Sequence, residues 1–229
     1  MLRLIQLEMK KQKLGWYVRG ACIAIIIVSI FLCILPIMKD TGEKVFTGYE
    51  DALSVVGLLV RAVFTVFASV LLSKLIIDEY KNKTINVMFT YPIERKKLLM
   101  AKMLLILSLT LATIIIGTFI VILIFMAVNS YFHFVPGQPE GSVLLHTGIQ
   151  LFIQTLSAGG ISLIPLYFGM RKKSVSATIV SSVIITMLLG VNSPGFSLSS
   201  NVTVPLIFGV AGFVIAYLSL RNIDKTDII

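Results

Sequence analysis

The sequence predicts an all-α integral membrane protein of six transmembrane helices with both termini in the cytoplasm, and three observations carry that prediction. The first is composition. Of 229 residues, 57% are hydrophobic and only 14% charged, and the mean hydropathy is +0.96; a soluble domain carries about 25% charged residues. The second is a series of six apolar runs, each near the roughly 20 residues that cross about 30 Å of hydrocarbon. The third is the placement of the basic residues between those runs.

Residues 1–15 set Leu2, Ile5 and Met9 on one helical face and Arg3, Lys10, Lys11 and Lys13 elsewhere. That pattern predicts a short amphipathic helix in the membrane interface, with Trp16 and Tyr17 at the headgroup level. This N-terminus stays charged for too long to be a cleavable signal peptide. Six spans follow, over residues 18–38, 52–77, 103–129, 143–170, 174–191 and 202–220, in one transmembrane domain covering 1–229. Span four contains Gly159-Gly160 and Pro165, where a kink or local unwinding is expected. Cys22 and Cys33 lie eleven residues apart in span one. On a helix that is roughly 16 Å, beyond the reach of a disulfide.

Counted by interval, the N-terminus, the second and fourth connections and the C-terminus hold sixteen Lys and Arg residues. The first, third and fifth connections hold two, Lys39 and Lys44. Positive charge marks the cytoplasmic side, so the bias puts both termini and the segment 78–102 there. It also argues against nucleic acid as a partner, because the net charge of +9 is arranged by the membrane.

Little in the chain looks catalytic. His133 and His146 fall at the outer edge of the membrane and neither belongs to an H-E-x-x-H pattern. No Asp or Glu lies inside a predicted span, so a carboxylate pair or a proton relay through the bilayer lacks its parts. There is no metal-ligand cluster, no G-x-S-x-G and no P-loop. The chain is therefore read as no enzyme.

Two charges sit within span two. Lys74 is near the cytoplasmic end, where its stem can snorkel to the interface. Arg61 lies deeper, and Thr65, Ser69 and Ser73 follow it at steps of four. Such a stripe should face a bundle interior, a dimer seam or a wet pathway; equally, Arg61 could bond backbone carbonyls of a neighbouring span and only hold the bundle together. The hydroxyls of span five, Ser174, Thr178, Ser181, Ser182 and Thr186, are read as packing residues that let helices approach closely.

The segment Asp78–Lys102 carries six of the twenty basic residues. At about 25 residues it is long for a simple connection. Its centre, Thr84–Tyr91, is mostly apolar, is preceded by Asp78 and Glu79, and is stopped by Pro92. Apolar surface of this kind marks a partner site. The pattern predicts a short helix parallel to the membrane that docks into a cytosolic protein or rests on anionic lipid.

These residues carry a family resemblance. The pattern Glu79-x4-Thr84-Ile85, then Thr90-Tyr91-Pro92-Ile93-x-Arg95, with Leu98 and Lys102 opening the next span, resembles the ABC type-2 (ABC-2) export permeases. Lys83 stands where a Gly often precedes the Thr, and Glu94 where a Ser often precedes the Arg. The resemblance implies that the segment forms a coupling helix, with Glu79, Tyr80, Thr84, Met88, Phe89, Tyr91, Pro92 and Arg95 transmitting motion from an ATPase. It implies a separate cytosolic ABC ATPase in two copies, which binds ATP and Mg while this chain binds no cofactor. It implies a second permease, identical or paralogous, in the membrane lipid.

With only small loops, the chain is similar to the permeases of bacitracin and lantibiotic immunity and to amphipathic-peptide exporters. That similarity implies a multi-pass protein of the bacterial plasma membrane that expels amphipathic or antimicrobial peptides or lipid-like drugs. The alternative is a non-transporting membrane protein that recruits a cytosolic partner through 78–102.

Overall fold

The computed structural model describes residues 14–38, 46, 48–81, 95–132, 135, 141–190, 192–193, 196–197 and 203–221. They form α1 (Leu14–Met38), α2 (Tyr49–Leu72), α3 (Arg95–Phe132), α4 (Gly141–Ile161), α5 (Ile164–Lys172), α6 (Val175–Leu189) and α7 (Thr203–Arg221). A small antiparallel hairpin, β1 (Asn192–Ser193) and β2 (Phe196–Ser197), precedes α7. Its strands flank Pro194-Gly195, a turn-forming pair whose hairpin the sequence reading passed over.

Among the described residues four helical stretches are long and apolar enough to cross a bilayer: Gly15–Pro36, Tyr49–Ile77, Lys97–Phe132 and Leu144–Lys172. Two shorter apolar helices, Val175–Leu189 and Thr203–Ser219, complete the set. The outward faces of α1, α3 and α7 are apolar, with Ile27, Phe31, Phe119, Leu123, Ile207 and Val210 all exposed. In water such surface would drive aggregation; in lipid it is solvated.

The observed elements depart from the predicted spans at three places. Helix α3 has 38 residues, roughly 57 Å at 1.5 Å per residue, where 103–129 was predicted. Arg95-Lys96-Lys97 lead straight into the apolar run, and that basic start had been read as connection rather than helix. Helix α6 is shorter than predicted, with 15 residues between Ser174 and Gly190. The fourth span is broken: α4 ends at Ile161, and α5 begins at Ile164 with Pro165 in its first turn. That break lies next to the pair Gly159-Gly160, as their presence with Pro165 led one to expect.

α2 does not stop at Leu72. It runs through a π-helical turn, Ser73–Ile77, in which Asp78 N–H reaches back to the Ser73 carbonyl, and ends in the α-turn Asp78–Lys81. Single π-turns inside helices recur at functional sites.

Two apolar clusters hold the bundle. Ile25, Val28, Leu32, Val60, Phe64 and Phe125 join α1, α2 and α3. Leu72, Ile76, Leu99, Ile106, Leu163 and Leu166 join the π-turn region to α3 and α5. Lipid offers no hydrophobic drive for association, so close backbone approach matters more here. It is closest where α4 packs on α7: a Cβ added to Gly209 would stand 2.9 Å from Ser157 Cα, and one added to Gly160 would strike the Gly209 carbonyl. At the end remote from the π-turn, Asn129 Nδ2 donates to Tyr49 Oη at 2.9 Å, and Val135 N donates to Asn129 Oδ1 at 2.9 Å. These bonds tie the start of α2 to the end of α3.

Candidate functional site

Two places in the bundle bring charged side chains inside. The first is a pocket between α2, α4 and α6. Leu58, Arg61, Ala62 and Thr65 fall at i, i+3, i+4 and i+7 of α2, which is one helical face. Gln154, Ala158 and Ile161 do the same on α4, and Thr186, Leu189 and Gly190 on α6, with Pro205 of α7 at the margin. The space is about 520 Å³, including its open mouth.

Among the described residues, Arg61 is the only charged side chain lining this pocket. Its Nη1 donates to Gln154 Oε1, and Gln154 is itself buried. Gln154 was missed by sequence reasoning. The signal was present, since a Gln in the interior of an apolar span needs a polar partner as much as an Arg does. Only the rotation of α4 against α2 says that the two meet.

The stripe predicted after Arg61 is buried within the chain. Thr65 lines the pocket, while Ser69 and Ser73 lie farther along α2 and are fully buried. Ser69 Oγ donates to the Val66 carbonyl at 2.6 Å and accepts from Ser182 Oγ of α6 at 2.8 Å. Ser73 Oγ has no hydrogen-bond partner among the described residues. Of the span-five hydroxyls, Thr178 and Ser182 are buried as packing residues, whereas Thr186 lines the pocket. Lys74 lies exposed and pairs with Asp78 at 3.3 Å.

The second place is the root of the segment that links α2 to α3. Lys102 of α3 is 2% exposed, yet its Nζ forms an ion pair with Glu79 and donates to the Leu75 carbonyl in the π-turn at 3.2 Å. Glu79 is 14% exposed. The pair ties the last turn of α2 to α3 immediately before the chain leaves for residues 82–94. Glu79 is one of the residues expected to transmit motion from an ATPase, and its carboxylate pairs with Lys102. Lys102 had been noted only as part of the family pattern, because nothing in sequence connects two residues 23 apart across a polar connection.

Of the other coupling candidates, Tyr80 lies in the last turn of α2 and Arg95 opens α3. Thr84, Met88, Phe89, Tyr91 and Pro92 lie outside the described residues, as does the predicted interfacial helix up to residue 13. Arg171 and Lys172 end α5, and Lys173 takes a left-handed conformation (φ 46°) that closes that helix.

A family model described as ABC-2 family transporter protein matches residues 4–193 of the 229. The chain is also similar to a protein of Bacillus subtilis (strain 168) called uncharacterized protein YcbO, with 44% identity over 227 residues. That match covers 99% of this chain and the whole of the relative. No solved structure matches. With four long apolar helices, a lipid-suited exterior and a family match over most of its length, the chain belongs to the ABC-2 transporter family, whose permeases generally work with ATPase subunits.

Proposed function

We propose that this chain is the transmembrane permease subunit of an ATP-driven exporter in a bacterial plasma membrane. It crosses the bilayer six times as one domain, with both termini in the cytoplasm. It expels amphipathic or antimicrobial peptides or lipid-like drugs, for resistance, self-immunity or peptide secretion. The sixteen-to-two charge bias supports the orientation.

One observation carries the mechanism: the ion pair of Glu79 with Lys102, together with the Lys102 bond to the Leu75 carbonyl. It braces α2 and α3 where both leave for the segment 82–94. A force applied to that segment then moves two helices together rather than bending one. α2 carries Arg61 and the pocket about 18 residues away, roughly 27 Å along the helix. Motion at the segment is thereby linked to the pocket through a continuous helical rod.

In this reading two cytosolic ABC ATPase subunits bind two permeases, identical or paralogous, and supply ATP and Mg. Thr84, Met88, Phe89, Tyr91 and Pro92 form the surface that meets the ATPase. Tyr80 and Arg95 flank it, and Glu79 acts through Lys102 as a positioning residue.

The test is purification of the full chain from its own membrane in mild detergent. A stoichiometric ATPase should come with it, and its hydrolysis should respond to amphipathic cargo. Met88→Asp with Phe89→Asp should release the ATPase while the permease stays folded. An intact complex in that double variant would sink the coupling assignment. Recovery of a partner without nucleotide hydrolysis would instead favour a recruiting protein.

A further inference from the structure

We propose that the pocket between α2, α4 and α6 binds the anionic head of an amphiphile, a carboxylate or phosphate ester carried on an apolar chain. The inference rests on the transport reading above and names the charge that the site recognises.

The observation behind it is an unbalanced charge. Among the described residues Arg61 has one polar partner, Gln154, and that partner is neutral. Four acids are described. Glu50 and Asp51 open α2, ten or more residues from Arg61, at least roughly 15 Å along the helix. Asp78 and Glu79 lie seventeen or more residues in the other direction, roughly 25 Å away, and are paired with Lys74 and Lys102. None of the four can neutralise the guanidinium.

A cation inside an apolar bundle is costly, and such residues usually face a ligand or a water-filled path. Here Arg61 opens on a pocket that no described carboxylate lines. A guanidinium has five donors in a planar fork, and one is taken by Gln154 Oε1. The fork suits bidentate recognition of a carboxylate or phosphate. Gln154 orients the fork without cancelling its charge, and Thr65 adds a hydroxyl to the wall.

The rest of the wall selects what is attached to the anion. Leu58, Ala62, Ala158, Ile161 and Leu189 are apolar, so the head must lead into an apolar body. The part of this space open to water-sized groups is about 70 Å³, room for a small head but not for a whole amphiphile. A cationic head would meet Arg61 as a like charge. Within the proposed cargo classes this favours acidic lipid-like molecules and peptides with a free carboxylate over purely cationic peptides.

The experiment is equilibrium binding to the full chain in phosphatidylcholine nanodiscs, with four probes of equal chain length. Dodecyl phosphate and dodecanoate should bind at least tenfold tighter than dodecyltrimethylammonium or dodecanol. Arg61→Gln should erase that preference, and Arg61→Lys should keep part of it. Ala62→Leu, which fills the pocket beside an intact Arg61–Gln154 bond, should weaken dodecyl phosphate tenfold and serves if Arg61→Gln fails to fold. Equal binding of all four probes, or a preference that survives Arg61→Gln, or dodecyl phosphate binding unchanged by Ala62→Leu, would overturn the site.

Adding phosphatidylglycerol to the nanodiscs separates the sources. Lower apparent affinity in the wild type alone identifies a resident lipid headgroup as the ligand. Unchanged affinity identifies a free amphiphile. Either supports an anion site. Binding needs no ATPase, so anion preference without a co-purified ATPase would remove the transport reading alone. A stoichiometric ATPase without anion preference would remove this site alone.

Discussion

Lys102 and Arg61 both sit inside the helix bundle, and their surroundings differ in one respect that decides what each does. Lys102 has its own acid. Glu79 balances its charge, Glu79 and the Leu75 carbonyl accept its hydrogen bonds, and the group is closed to solvent. Among the described residues Arg61 has only a neutral amide, and it faces a pocket. A buried cation with a built-in counter-charge holds two helices together. A buried cation without one leaves a place for a charge that comes from elsewhere. The π-turn belongs to the first region and the apolar pocket wall to the second. The contrast separates a brace between α2 and α3 from a proposed binding site farther along α2.

The contrast is broken most sharply at Lys102. Removing one partner of a buried pair strands the other, so Lys102→Met should lower stability by about 3 kcal/mol. Adding Glu79→Leu should restore most of it, because a buried pair replaced by apolar groups is often neutral. Thermal unfolding of the single and double variants in detergent measures both. A double variant as unstable as the single would mean that Lys102 acts by something other than its charge.

Next comes the seam of α4 on α7. Gly160→Leu puts a side chain where the Gly209 carbonyl lies and should lower stability by about 2 kcal/mol through overpacking. This change touches neither cation, so it should leave the binding preference of folded protein unchanged. A smaller effect belongs to the contact between Ser182 and Ser69 at 2.8 Å. Ser182→Ala should shift stability by about 0.6 kcal/mol, the usual size of a hydrogen bond between helices in a membrane. An effect several times larger would show that this polar contact, rather than apolar packing, holds α6.

Much of this fold was legible in the residues, for physical reasons. Apolar runs must be long to cross lipid, so Gly15–Pro36 and Tyr49–Ile77 stand out unaided. Gly159-Gly160 with Pro165 announced the break between α4 and α5, because both residue types weaken a helix locally. Arg61 was legible as an anomaly. Its partner was not, since Gln154 meets it only through the rotation of a distant helix. Nor was the brace, because Glu79 and Lys102 belong to helices joined through a polar segment that gives no register. The extension of α3 back to Arg95, beyond the expected span, was not legible because Arg95-Lys96-Lys97 are good helix formers as well as surface residues.

The smallest stability effect is the most telling. Thermal unfolding of the wild type, Arg61→Gln and Lys102→Met, each with and without dodecyl phosphate, sets the two cations side by side. Arg61→Gln should unfold at the wild-type temperature without ligand and gain nothing when dodecyl phosphate is added. Lys102→Met should unfold well below the wild type and still be raised by the ligand. If Arg61→Gln falls as far as Lys102→Met, or is raised by dodecyl phosphate as much as the wild type, Arg61 is a second brace and not the receptor of an anion.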